Sequence, residues 1–365
     1  MSPVPPPIAI DSVLAAASDA LLPATWQREL ANAVRTTEEL LRRLNLMVPD
    51  ESFDQAVGRL QLLDCRTENA VQLFRRFPVL VPDSFLNRMR LGDSADPLLR
   101  QVLPLQSETV MTEGFHSDAV GDLSARRVPG LLHKYCGRVL LIAASACAVH
   151  CRYCFRRDYP YETEPRRLEE WQPALQEIAL DDSISEVILS GGDPWMLNDQ
   201  RLEWLCSAID KIPHIERIRF HTRLPIVLPS RVTAELLTML SNLRAQAIVV
   251  VHANHPNEIA GDCETALRRL SKTGIPVLNQ SVLLAGVNDC VDALETLSRR
   301  LIRIGVMPYY LHHLDHVNGT AHFEVEKEIG QQLIKQLATR LPGYAVPRYV
   351  QEIPGEPGKT PIAIL

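Results

Sequence analysis

Residues 138–155 read Arg138-Val139-Leu140-Leu141-Ile142-Ala143-Ala144-Ser145-Ala146-Cys147-Ala148-Val149-His150-Cys151-Arg152-Tyr153-Cys154-Phe155. The run opens as an apolar strand and then delivers three thiols, spaced x3 and x2. Soft thiolates select zinc or iron–sulfur clusters. Three cysteines anchor three irons of a [4Fe–4S] cubane and leave the fourth iron open to a small chelating ligand. A zinc knuckle needs a fourth donor, and His150 is the candidate. His150 directly precedes Cys151, however, and structural zinc usually draws its ligand pairs from separate turns. The cluster is the stronger reading.

Downstream of this strand the texture is regular. Strand-like apolar runs at 139–143, 186–189, 215–221, 247–252, 276–282 and 306–312 alternate with amphipathic stretches at 168–180, 199–211, 230–243, 258–273, 289–304 and 324–341. Near-continuous apolar strands separated by helices predict parallel βα units covered on both faces. Six such units predict an α/β fold, a partial (β/α)6 TIM-type barrel. Its working face is formed by the loops after the strand C-termini, and the cysteines follow the first strand onto that face.

The 365 residues suffice for this barrel and an additional lobe, with 46% hydrophobic and 22% charged residues. A net charge of −6 offers nucleic acid no global attraction. No apolar run approaches a membrane span. The start, Met1-Ser2-Pro3-Val4-Pro5-Pro6-Pro7, lacks the basic region of a signal peptide and is expected to be a disordered tail over 1–10. Outside the motif, Cys65, Cys136, Cys206, Cys263 and Cys290 stand singly. That usage fits a reducing cytoplasm. Residues 11–110 are expected to form a helical lobe, with Thr36/Glu39 and Ser52/Gln55 as capping boxes and Pro82-Asp83-Ser84 opening a further helix. This lobe is either a cover over an active site or a packing appendage. The barrel is placed at 111–341 and a C-terminal segment at 342–365.

Four further features carry chemistry. Ser190-Gly191-Gly192-Asp193 ends the second parallel strand. Glycines there allow close backbone approach to a ligand, and Asp193 can accept from an ammonium group. His252 and Gln280 are polar positions at the same barrel end in otherwise apolar strands. They are either hydrogen-bonded structure or ligand contacts. Lys359 lies in the loop Gly355-Glu356-Pro357-Gly358-Lys359-Thr360. It is either a solvated loop lysine or an amine that forms a Schiff base with pyridoxal phosphate (PLP). The loop lacks the spacing and the strand-to-helix frame of a P-loop.

The cysteine spacing, with Ser190–Asp193 after it, resembles radical S-adenosylmethionine (SAM) enzymes. Taken with 252–258, 278–289, 308–323 and 343–361 in consistent order, residues 90–365 resemble the lysine 2,3-aminomutase family. The resemblance is closest to the bacterial branch that makes (R)-β-lysine for modifying translation elongation factor P. The strings 96–101 and 128–135 look typical of that branch. The chain also ends shortly after Lys359, whereas lysine-degrading aminomutases continue into a C-terminal extension.

The resemblance implies three cofactors: a [4Fe–4S] cluster on Cys147, Cys151 and Cys154, SAM, and PLP on Lys359. It implies SAM contacts from Ser190, Gly191, Gly192, Asp193, His252 and Gln280. Arg156 matches the arginine for the substrate carboxylate. Asp315 and Glu352 match the carboxylates for the lysine ε-ammonium, Glu352 standing where the family has an aspartate. Lys134 and Arg138, which flank the first strand, are candidate phosphate contacts for PLP. The implied reaction moves the α-amino group of L-lysine to the β-carbon, with electrons from a flavodoxin or ferredoxin. The product would go to a lysyl-tRNA-synthetase-like ligase acting on elongation factor P. The rival readings are a radical-SAM enzyme for another amino acid or a protein, and a zinc-binding interaction module.

Overall fold

The computed structural model describes residues 25–64, 71, 73 and 77–363. The expected disordered tail at 1–10 lies outside these. Ten strands pair in sequence order: β1 (Arg126–Val128), β2 (Leu131–Tyr135), β3 (Arg138–Ala144), β4 (Glu186–Gly191), β5 (Arg217–Thr222), β6 (Gln246–His252), β7 (Val277–Val282), β8 (Met307–His312), β9 (Arg348–Gln351) and β10 (Thr360–Pro361). Strands β3 to β9 run parallel. The edges are antiparallel, β1–β2–β3 on one side and β9–β10 on the other.

The six βα units are those read from the sequence. Their helices are Gln172–Leu180, Asp199–Asp210, Ala234–Ser241, Gly261–Ser271, Val291–Arg303 and Lys327–Arg340. The strands are apolar because both faces are covered, and β4 is buried at every position after Glu186. Each helix buries a single stripe, such as Leu294, Leu297 and Leu301 of Val291–Arg303. Side-chain caps fix the starts: Asn198 accepts from the Arg201 amide at 2.9 Å and Thr233 from the Leu236 amide at 3.1 Å.

A seventh parallel strand, β9, extends the set of six, and β10 folds back on it. Pro347 directly precedes this four-residue strand, which is too short to show a clear alternation. The β9–β10 hairpin has a functional consequence: it returns Lys359 to the barrel.

Among the described residues the amino-terminal α-helices are Thr25–Ala31, Thr37–Arg43, Phe53–Arg59 and Asp83–Leu86. Ser52 and Gln55 cap reciprocally, and Thr36 accepts from the Glu39 amide at 3.2 Å. Leu40, Leu41 and Phe85 share one continuous core with barrel residues such as Leu224 and Ile226. The lobe also backs the cysteine loop. Glu108 is fully buried and takes ion pairs from Arg152 and Arg157, each at 2.6 Å. No helix among the described residues is long and apolar enough to cross a membrane.

Candidate functional site

A cavity of about 400 Å³ runs from the C-terminal ends of the parallel strands into the barrel. All the residues singled out from the sequence as site residues line it. They arrive from different strands, as a barrel face requires: the cysteines after β3, Ser190 to Asp193 at the end of β4, His252 at the end of β6, Gln280 on β7, Asp315 after β8, and Glu352 and Lys359 from the β9–β10 hairpin.

At one end stand the three thiols, with no disulfide among them. Burial pushes the Cys154 thiol up to about 11, with the Cys151 sulfur adding to the effect. Burial also pushes Cys147 well above the ordinary thiol value, helped by Cys154, then Asp193 and Cys151. Sulfurs that raise one another's proton affinity in this way ask for a shared cationic partner. Arg223 supplies part of that charge, donating from Nη1 to Cys151 Sγ at 2.6 Å. Three soft donors on one short loop beside one arginine fit an iron–sulfur cubane. His150 is not among the residues that line the cavity with the thiols; its Nδ1 lies 2.8 Å from the Pro78 carbonyl and its ring stacks on Phe77.

The two glycines also sit tight against the chain itself. A Cβ on Gly191, where φ is +109°, would meet the Ala144 carbonyl oxygen at 2.7 Å, and one on Gly192 would collide with the Ala146 backbone. Instead the Gly192 amide donates to the Ala144 carbonyl at 2.7 Å and the Asp193 amide to that of Ala146 at 2.9 Å. The close approach is to the backbone that leads into the cysteine loop, so the glycine pair sets where that loop begins. The Asp193 carboxylate accepts from the Thr222 hydroxyl and from the amides of Trp195 and Arg223. Burial nevertheless raises its carboxyl to about 6.

Next to the thiols, the Tyr153 hydroxyl is 2.9 Å from His252 Nε2 and accepts from Asn254 Nδ2 at 2.7 Å. Burial, then the Arg223 charge, pushes His252 down to about 3, so its imidazole is neutral near pH 7. Arg223 is clamped by Glu258 at 3.1 Å and by Gln101 at 2.6 Å. His221 Nε2 and Arg223 Nε are buried without a hydrogen-bond partner, and both residues line the cavity. Polar atoms left so in a cavity suit a polar ligand such as SAM.

The far wall is a ladder of alternating charge. Lys359 pairs with Glu352. Glu352 also accepts from the Tyr135 hydroxyl at 2.7 Å and pairs with Lys134 at 3.2 Å. Lys134 pairs with Asp122 at 2.6 Å, and Asp122 pairs with Arg156 at 2.6 Å. Arg156 Nη1 reaches the Ser190 hydroxyl at 3.1 Å. Burial alone would raise the Asp122 carboxyl, but Arg156 and Lys134 hold it below its usual range. Burial likewise opposes the drop in Glu352, which Lys359 and Lys134 impose.

Asp315 stands apart from the ladder. Burial raises its carboxyl to about 7, which the Lys359 charge only partly opposes. Lys134 spends its ammonium on Asp122, Glu352 and the Val120 carbonyl at 2.7 Å. It therefore braces acids more than it faces the cavity. Arg138 lies over the Tyr135 ring at 4.6 Å, and Arg219 is a second guanidinium on the same wall. A primary amine beside guanidinium groups fits an aldehyde-bearing phosphate cofactor such as PLP.

Asp122, Tyr135, Arg223 and Glu258 were not identified from the sequence. Asp122 sits between short elements with no periodicity around it, and Arg223 follows β5 without any motif. Only the location of Arg223 at a strand's C-terminal end was available as a signal.

The 4Fe-4S single cluster domain family matches residues 136–221. The chain is 44% identical over 337 residues to the L-lysine 2,3-aminomutase of Escherichia coli, covering 92% of this chain and 94% of that protein. It is 42% identical over 335 residues to the L-lysine 2,3-aminomutase of Haemophilus influenzae, with the same coverage of each. The protein of that name from Buchnera aphidicola is 40% identical over 334 residues, again at 92% and 94%.

Proposed function

The chain belongs to the lysine 2,3-aminomutase family, and from that premise we propose that it converts L-lysine to (R)-β-lysine, which modifies translation elongation factor P. The observation that carries the reading is a single cavity holding three thiols, a primary amine on a hairpin, and charge poles suited to the two ends of lysine. Cys147, Cys151 and Cys154 would hold the [4Fe–4S] cluster. Ser190, Gly191, Gly192, Asp193, His252 and Gln280 would contact SAM. Lys359 would anchor PLP, with Arg138 on the phosphate side and Lys134 bracing Asp122 and Glu352 behind it. When bound, these cofactors supply one-electron cleavage of an unactivated C–H bond and an electron sink for the migrating nitrogen, which no side chain provides.

The chain's own residues orient the substrate. Arg156, held by Asp122 and Ser190, presents its remaining donors to the carboxylate. Asp315 and Glu352 receive the ε-ammonium at the other pole. A cation beside Asp315 lowers its proton affinity and favours the ionised form. Fixing both ends of a flexible chain presents one β-hydrogen to the reacting atom.

A reducing cytoplasm suits a protein that must keep its thiolates available. Electrons would come from a flavodoxin or ferredoxin, and a lysyl-tRNA-synthetase-like ligase would use the product. The test is anaerobic reconstitution with iron, sulfide, PLP, SAM and a reductant, followed by chiral chromatography of the products from L-lysine. (R)-β-Lysine is expected. Absence of any β-lysine from protein that contains both iron–sulfur and PLP would overturn the reading.

A further inference from the structure

The turn after β8 carries a second group of donors that amino migration does not use. His313 and His316 come from His313-Leu314-Asp315-His316, and Glu324 reaches the same place from the segment before Lys327–Arg340. One ligand atom from each of the three lies within 4.8 Å of the others. Two imidazoles and one carboxylate converging in this way form a donor set for a borderline divalent cation.

The surroundings support the convergence. The Tyr349 hydroxyl lies 2.9 Å from His313 Nδ1 and orients that ring. Outer contacts of this kind commonly fix histidine ligands. The His316 ring stacks on Phe115 with centroids 4.5 Å apart, and the His316 carbonyl accepts from the His116 amide at 2.9 Å. The two imidazoles lie 6.1 Å apart between centroids, tilted by 57°.

His316 Nε2 is 2.9 Å from Glu324 Oε1, yet that nitrogen is buried and without a hydrogen-bond partner. Nitrogen and carboxylate are therefore near each other without the alignment a shared proton requires. Such a pair can turn jointly towards a third body. The nearby charges, Lys327 and Glu328, are of opposite sign.

We propose that His313, His316 and Glu324 form a two-histidine, one-carboxylate site for a divalent cation of the zinc class, separate from the cysteine motif. With three protein donors, water would fill the remaining position.

Zn²⁺ is the probe, titrated by anaerobic calorimetry into the iron–sulfur-loaded protein so that the motif cysteines are occupied. The background is C65S/C136S/C290S, which removes the two thiols exposed among the described residues and Cys65. One equivalent is expected to bind. His316→Ala or Glu324→Gln removes a direct donor and should weaken it by at least the roughly 10–100-fold that loss of a supporting contact costs, and the double variant should abolish it. Glu324 is exposed and His316 half-exposed, so the variants should retain the fold, which circular dichroism checks. No one-to-one binding in the parent, or undiminished binding in a folded double variant, would overturn the site.

Discussion

Asp122→Asn keeps the size of a side chain at the centre of the cavity wall and removes its charge. The native carboxylate is 2% exposed and pairs with Lys134 and Arg156, each at 2.6 Å. Neutralising one partner of a buried pair costs about 3–5 kcal/mol. Lys134 keeps Glu352 and the Val120 carbonyl, and Arg156 keeps Ser190, so the low end applies. A loss of about 3 kcal/mol in a chain of this size lowers the melting temperature by roughly 4 °C.

The loss also reaches the substrate pole. Without its anchor Arg156 is less well aimed, and about 1.4 kcal/mol of lost carboxylate binding raises KM for lysine about tenfold. Iron content should not change, because no thiol has been touched. The pH dependence has a definite sign. The Asp122 carboxyl is held below its usual range, so its stabilisation is present above the ordinary carboxylate pKa and lost as pH falls through the folded value. The gap in melting temperature between wild type and variant should therefore shrink on acidification. Scanning calorimetry from pH 2 to 7, with the change confined to pH below about 4, and lysine saturation curves measure both effects. A variant with wild-type melting and wild-type KM would refute the idea that Asp122 organises this wall.

Cys151→Ala should abolish iron binding and SAM cleavage, read as iron and sulfide per chain and as 5′-deoxyadenosine formed under reducing conditions. Lys359→Ala should remove the PLP absorption band and leave the iron–sulfur absorption; β-lysine formed at the normal rate would make Lys359 an ordinary loop lysine. Asp315→Asn should gain stability over wild type as pH rises. Its carboxyl is raised to about 7 in the fold, so ionisation costs the wild type stability between about pH 4 and 7. A difference in melting temperature that stayed constant from pH 5 to pH 8 would contradict that.

Much of this molecule was legible before any coordinates. The six parallel strands were readable because a strand covered on both faces must be apolar along its length. The cysteines were readable because few chemistries use three thiols at such spacing, whereas the loop around Lys359 alone left a solvated lysine open and only the family resemblance singled it out. The edges were less legible: β1, β2 and β10 are short and half-exposed, and their pairing depends on the neighbour. Asp122 was invisible because its meaning lies in Lys134 and Arg156, which become its neighbours only when the chain folds. The role of Gly191 and Gly192 was read in part. The sequence showed that backbone must come close, but not that the approaching partner is the chain itself at 144–146. For Lys134, position near the first strand suggested a phosphate contact, whereas the structure surrounds its ammonium with three oxygens.

The alternating ladder from Lys359 through Glu352, Lys134 and Asp122 to Arg156 also limits how specificity can be altered. Residues joined in one ion-pair network do not contribute additively, because each charge sets the value of the next. Reversing the charge of Glu352 to welcome an acidic side chain would place three cations together, since Lys134 and Lys359 already face that position. A viable route must change partners jointly, and each single step along it is penalised. Substrate choice on this wall is therefore a property of epistasis across the ladder, and site-by-site redesign should stall where a library of paired substitutions succeeds.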